Sequence, residues 1–250
     1  KQDGCWQMVL PAQICFVPGW KPGTRRTGDV ERSEDIAALH NSFIDAGAKL
    51  IPTNSFRGTD HRRRLHGAEA RLAELNKAAA RIACKPVDIG RDRHGHDIVV
   101  AGSIGPTGQL FPPMGALDHG EALAAFTAQA EALAAGGADL LWIETMSSLE
   151  EIKAAIEVAA AVGLPTAVCM TFDTAARSMM GITPADFASQ STAFGAAYIG
   201  ANCGTPAYVG GAIHCHGTPK LTAAYACLAR NAGVTTIVVC CGTTEVNVRA

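Results

Sequence analysis

The chain lacks any uncharged apolar run of the roughly 18 residues that a membrane-spanning helix requires. Glu121, Glu131, Asp139, Glu157 and Pro165 interrupt its alanine-rich segments. Lys1 to Leu10 carries Asp3 and no signal-peptide pattern. Charge of one sign is lacking too. A formal net charge of -2 gives no electrostatic reason to expect nucleic acid or an anionic membrane as partner. The one dense basic cluster, Arg62-Arg63-Arg64, reads as a solvated helix start and not as a phosphate site. Nor is there an even cysteine framework. The nine cysteines are odd in number and scattered, which excludes a small disulfide-stapled secreted fold and points to thiols or ligands in a reducing cytoplasm.

What is present is core-forming material, with 48% hydrophobic and 18% charged residues over 250 positions. This is enough for one globular domain spanning residues 1–250. A short phrase recurs along it: a glycine, two residues, an apolar run, then polar or sulfur-bearing residues. The copies are Gly47–Ser55, Gly137–Thr145, Gly195–Cys203 and Gly233–Cys241. In each, the glycine is expected to take the left-handed position that ends a helix before the chain enters a buried strand. The preceding segments carry helical stripes. Ile36, Leu39, Phe43 and Ile44 follow Ser33 or Asp35 as cap, Leu65, Leu72, Leu75, Ala79 and Ile82 come next, and Leu123, Phe126, Ala130 and Leu133 precede Gly137. Gly217-Thr218-Pro219 reads as a further helix start.

Alternating helices and apolar strands predict a parallel sheet covered by helices. An open doubly wound sheet and a (β/α)8 TIM barrel both satisfy the alternation. The unusual residues favour the barrel: Asn54-Ser55, Glu144-Thr145, Asn202-Cys203 and Cys240-Cys241 all fall at strand C-terminal ends, which a barrel gathers into one mouth. Strands are expected near residues 5–10, 49–55, 98–104, 139–145, 166–172, 196–203 and 235–241. One β/α unit is missing, because Cys203 to Leu221 leaves no room for a strand and a helix. Either the chain lacks that unit or residues near 204–207 are absent from the sequence, and the last helix is likewise incomplete at Ala250.

Cys203 at one strand end and Cys240-Cys241 at another supply three sulfurs. Taken singly, each reads equally well as a buried inert thiol. As a trio at equivalent strand ends they predict a Zn²⁺ site with one open tetrahedral position. A substrate thiol entering that position loses its proton and becomes a nucleophile. Three anionic ligands make the metal a poor activator of water, so alkyl transfer to sulfur suits it better than hydrolysis. Ile213-His-Cys-His216 looks like a metal motif but sits in a glycine-rich stretch without matching partners, and reads as a surface segment. Cys5, Cys15, Cys84, Cys169 and Cys227 read as bystanders, with Cys84 and Cys227 on helices. Trp142, two residues before Glu144, should point into the barrel lumen as packing.

Thr53-Asn-Ser-Phe56, Val100–Thr107, Ile143-Glu-Thr145, Gly200-Ala-Asn-Cys203 and Cys240-Cys-Gly-Thr-Thr244 resemble, in order, the signature blocks of the homocysteine S-methyltransferase family. The likeness covers most of the chain from about Ile36 onward. It implies a (β/α)8 barrel, zinc held by Cys203, Cys240 and Cys241, homocysteine as substrate and methionine as product. It makes Glu144 the carboxylate that receives the homocysteine amino group, with a helix N-cap after Ser147 as its alternative. It places Thr53 in the amino-acid pocket, with strand packing as the alternative. Asp3-Gly4 resembles the family's aspartate–glycine pair at the first strand, part of the substrate site, although the glycine-rich run expected next reads Cys5-Trp6-Gln7-Met8 here. Asn202 is expected to orient the metal loop.

The donor is less defined. Family members use betaine-like onium compounds, S-methylmethionine, or methyl-cobalamin supplied by other domains. With no cobalamin or folate module read in the sequence, a free onium donor is expected. Asn54–Glu69, Trp142–Met146 and Phe172-Asp173 are similar to bacterial betaine–homocysteine methyltransferases within the family. A quaternary ammonium wants an aromatic cage, for which Phe56, Phe111, Trp20 and Trp6 are available. The alternatives are an S-methylmethionine-dependent enzyme, a homocysteine module serving a cobalamin protein, and a non-catalytic zinc- or thiol-binding barrel. The expected partners are homocysteine and a methyl donor, and a homo-oligomer is left open.

Overall fold

Gly47, Gly137, Gly195 and Gly233 have φ of 102, 102, 100 and 88°, the left-handed backbone at which glycine ends a helix without steric cost. These four turns set the alternation of the fold. The computed structural model describes residues 6–9, 32–173, 175–203, 207–209, 212–214, 218–239 and 244–249. In chain order the elements are β1 (Trp6–Val9), α1 (Ser33–Asp45), β2 (Leu50–Pro52), α2 (Asp60–Arg64), α3 (Leu72–His94), β3 (Val99–Ile104) and α4 (His119–Gly136). Then follow β4 (Leu140–Met146), α5 (Leu149–Val162), β5 (Thr166–Met170), α6 (Pro184–Phe194) and β6 (Tyr198–Ala201). Last come β7 (Ala207–Val209), β8 (Ala212–His214), α7 (Pro219–Asn231), β9 (Thr236–Val239) and α8 (Glu245–Arg249).

Seven strands form one sheet in the order β6-β5-β4-β3-β2-β1-β9, and every pair in it is parallel. These are the seven strands expected from the sequence. The first of them, β1, is hydrogen-bonded to both β2 and β9 despite its departure from the family pattern. Side chains alternate across the sheet as the pleat requires. Leu50, Ala101, Leu140, Trp142, Ala167 and Cys169 form one cluster on the inner face. Leu141, Ile143 and Val168 face outward and pack with Phe126, Leu133, Ile152 and Ile156 of the helices. Trp142 thus lies in the lumen as expected.

Among the described residues β6 and β9 each pair on one side only, so the ring is open where an eighth strand would close it. A cleft of about 960 Å³ lies between these edges, lined by Trp142, Cys169, Tyr198, Asn202, Cys203 and Ile237 among others. Between β6 and α7 the described residues form a short antiparallel β7–β8 ladder, pairing Ala207 with His214 and Val209 with Ala212. His214 ends that ladder, while Cys215 and His216 lie outside the described residues.

Four helix starts, those of α4, α5, α6 and α7, carry side-chain caps. Asp118 Oδ1 accepts from the Glu121 amide at 2.8 Å, Ser148 Oγ from Glu151 at 3.2 Å, and Thr183 Oγ1 from Asp186 at 3.1 Å. Thr218 Oγ1 accepts from Leu221 at 3.2 Å, one residue before Pro219 opens α7. Three sequence expectations are corrected. Neither Ser33 nor Asp35 caps α1, since the N-cap is Arg32, whose guanidinium is held by Asp35 at 2.5 Å. Leu65 is 69% exposed and leaves the α3 stripe, because Gly67 at φ 61° separates α2 from α3. Of the basic run only Arg64 is solvated. Arg63 is buried, and Arg62 is half-buried with Nε donating to Pro106 O at 3.1 Å. None of the described helices is long and apolar enough to cross a membrane.

His40 on α1 is buried, and its Nε2 has no hydrogen-bond partner among the described residues. Burial lowers its pKa from 6.5 to about 4. Between those values the unfolded chain binds a proton that the folded chain refuses, so stability is full above pH 6.5 and falls as pH drops towards 4. The loss from this one group is about 2–3 kcal/mol near pH 4.5. His40→Leu is expected to remove that part of the pH dependence, as measured by urea melts at pH 7 and pH 4.5. An unchanged slope would show that His40 is not the group responsible.

Candidate metal centre and amino-acid site

The polar residues gather where β2 to β6 end. Past β2, the Thr53 amide donates to Ala101 O at 2.8 Å, holding the strand end against β3. Thr53 Oγ1 accepts from the Ser103 amide at 3.0 Å and lies 2.6 Å from Ser55 Oγ. Ser55 Oγ donates to Ser103 O at 2.7 Å. From the outer layer, Gln129 Nε2 of α4 donates to Ser55 O at 2.8 Å and Ser103 O at 3.2 Å. Thr53, Ser55, Ser103 and Gln129 are all buried, so this lattice is shielded from competing water.

Glu144 on β4 is 6% exposed. Ser103 Oγ donates to its Oε1, and Asn202 Nδ2 approaches its Oε2 at 3.5 Å. It does not cap α5, a role taken by Ser148, which removes the alternative weighed from the sequence. The next residue, Thr145, has φ 61°, and the β4–β5 register shifts between Ile143 and Met146. Such a conformation in a β-branched residue costs about 1–3 kcal/mol and persists only where the surroundings hold it. Asn202 does the holding, since its Oδ1 accepts from the Thr145 amide at 3.2 Å and its Nδ2 donates to Thr145 Oγ1 at 2.9 Å. Asn202 is itself tied to β5 by its amide on Met170 O at 3.3 Å and by Thr171 Oγ1 on its carbonyl at 3.2 Å.

Cys203 follows directly, half-buried, at φ 49° and with Thr145 Oγ1 4.0 Å from its sulfur. Across the cleft β9 runs parallel to β1 and ends at Val239, the residue before Cys240. Cys240 and Cys241 lie outside the described residues, as do Asp3 and Gly4. Among the described residues no three metal-ligating side chains converge, and Cys203 is the described member of the expected trio. A half-buried thiol on a rim of hydroxyl and amide groups is a donor of the type zinc takes.

Sequence reasoning missed one residue here, Ser103, which was hidden inside the Val100–Thr107 block with only its lumen-facing place on a strand as a signal. Cys169 on β5 is buried, and burial, then the charge of Glu144 and then Cys203 push its thiol well above the ordinary range, which keeps it an unreactive thiol. Of the aromatic candidates, Phe56 lies against Gly105, whose amide donates to Phe56 O at 3.0 Å, and Phe111 packs on the outer helix-facing core. Trp6 is in β1, and Trp20 lies outside the described residues.

The family model described as homocysteine S-methyltransferase matches residues 18–226. Methionine synthase of Mycobacterium leprae is 26% identical over 180 residues, covering 70% of this chain and 15% of that protein. Betaine–homocysteine S-methyltransferase 1 of Danio rerio is 27% identical over 177 residues, covering 69% of this chain and 41% of that protein. The chain therefore matches less than half the length of either. Crystal structures of the Escherichia coli homocysteine methyltransferase MmuM share the fold at 22% identity, over 100% of this chain and 95% of theirs. The TM-score is 0.83 for the oxidized form and 0.79 for the metallated form.

Proposed function

This chain belongs to the homocysteine S-methyltransferase family, and from that premise we propose that it moves a methyl group from a small betaine-like onium donor to the thiol of homocysteine, giving methionine. Cys203, Cys240 and Cys241 would hold a zinc ion. When bound, zinc lowers the pKa of a thiol entering its open position and keeps the sulfur as a thiolate. The observation that carries the reading is the seating of Glu144. A buried carboxylate stands at the mouth, held by Ser103 and joined through Asn202 to the residue beside Cys203.

The chain's own residues orient the reaction. Glu144 receives the α-ammonium of homocysteine, and Thr53 and Ser103 set the wall behind it. Asn202 fixes Thr145 and Glu144 to the strand end that carries Cys203, and so sets the distance between the amino-group contact and the sulfur. Sulfur attacks the methyl carbon, the C–N bond of the donor breaks with its electron pair passing to nitrogen, and a neutral tertiary amine leaves. That leaving group needs no general acid. The family resemblance adds Asp3 and Gly4, which precede β1 in the chain, as further candidates for homocysteine binding.

A second donor is favoured by the methionine synthase match, which is as strong in identity as the betaine enzyme. In that case the chain would take its methyl from methyl-cobalamin on a separate protein. The zinc-loaded chain given homocysteine with betaine, S-methylmethionine or methylcobalamin in separate reactions tells the donors apart by methionine formed. Methionine is expected with betaine alone. Failure with all three donors while one zinc is bound per chain would leave a thiol-binding barrel without methyl transfer.

A further inference from the structure

We propose that Ser103 is a positioning residue for homocysteine, acting through Glu144 on the α-ammonium group. This rests on the proposed function, in which Glu144 receives that ammonium.

The geometry divides Ser103 into two parts. Its backbone serves the fold: the amide donates to Thr53 Oγ1, and the carbonyl accepts from Ser55 Oγ and Gln129 Nε2. These three bonds come from the β2 end and from α4, and they fix where the side chain of Ser103 points. The hydroxyl takes no part in them. Its recorded partner is Glu144 Oε1, 41 residues away on the neighbouring strand. An ionised carboxylate can only accept, so the serine hydroxyl is the donor. Ser103 is 2% exposed and Glu144 6% exposed, so water does not replace that donor readily.

The consequence is orientational. A carboxylate at the end of a flexible side chain rotates about its terminal torsion unless both oxygens are engaged. Ser103 holds Oε1 from β3, and Asn202 approaches Oε2 from β6. The carboxylate plane is therefore set between two strands before the amino acid arrives, which reduces the ordering needed on binding. The backbone anchors stay when the hydroxyl is removed, so Ser103→Ala leaves the network that secures the strand ends. That separates positioning from folding.

The test compares two ligands on the zinc-loaded full chain by calorimetry: L-homocysteine, and 4-sulfanylbutanoate, which keeps the thiol and carboxylate but lacks the α-amino group. Wild type is expected to prefer homocysteine. Ser103→Ala is expected to weaken homocysteine about ten- to hundredfold, the range for a hydrogen bond to a charged group, and to leave 4-sulfanylbutanoate unchanged. Ser103→Thr, which keeps the hydroxyl, should stay within about threefold of wild type. Because Ser103 acts through Glu144, Ser103→Ala combined with Glu144→Gln should bind homocysteine no more weakly than Glu144→Gln alone. The proposal is overturned if wild type prefers homocysteine while Ser103→Ala binds it normally, or weakens both ligands equally. If wild type shows no preference between the two ligands, the role given to Glu144 fails and that of Ser103 falls with it.

Discussion

Cys203→Gly is expected to abolish methionine formation, by more than about a thousandfold, and to weaken zinc by more than the ten- to hundredfold that even outer partners of a metal site contribute. Glycine is the informative replacement because Cys203 sits at φ 49°. Alanine would keep the left-handed strain, whereas glycine adopts that backbone freely. The metal-free variant is therefore expected to melt at or above the temperature of the metal-free wild type, which separates loss of a ligand from loss of the fold. Zinc content by atomic absorption and methionine by chromatography are the two readouts. A Cys203→Gly chain that keeps one tight zinc and normal turnover would remove Cys203 from the trio and with it the case for thiolate activation.

Glu144→Gln is the second large effect. Glutamine keeps the shape and can still accept from Ser103, so the local hydrogen bonding survives while the charge is lost. Breaking a buried charge pair costs about 3–5 kcal/mol, so kcat/KM for homocysteine should fall by at least about two orders of magnitude. Most of the change is expected in KM, since the proposed ammonium contact would be made in the ground state and the transition state alike. Initial rates over a homocysteine series measure this directly. A variant with unchanged KM and lowered kcat would place Glu144 in the chemical step and not in binding.

Much of the architecture is legible in local pattern because the forces behind it are local. Gly47, Gly137, Gly195 and Gly233 end helices wherever they fall, since left-handed backbone favours glycine regardless of tertiary context. The lumen position of Trp142 follows from the two-residue period of a strand. Long-range register is another matter. That the Ser103 hydroxyl meets Glu144, or that Gln129 reaches Ser55 across 74 residues, depends on how strands and helices stack, which no window of sequence contains. A run of like charges predicts solvated side chains, yet Arg63 is buried. Leu65 kept the right period for a helix that Gly67 had already broken. The sequence places Asn202 beside Cys203, and only the stacking of β4 and β6 brings it to Thr145 and Glu144, which ties the proposed metal loop to the proposed amino-acid contact. The nearness of Cys169 to the charge of Glu144, which disfavours its thiolate, is likewise visible only once β4 and β5 lie side by side.

Among the described residues the gap between β6 and β9 makes the sheet a horseshoe. In a complete ring each strand is braced from both flanks, and the circumference resists being pried apart. Among the described residues the two tips, one bearing Cys203 and the other ending just before Cys240, are joined through the ladder the long way round, across five intervening strands. A ligand that clasps both tips does mechanical work that hydrogen bonds do in a closed hoop. Its grip and the stiffness of the whole scaffold rise and fall together.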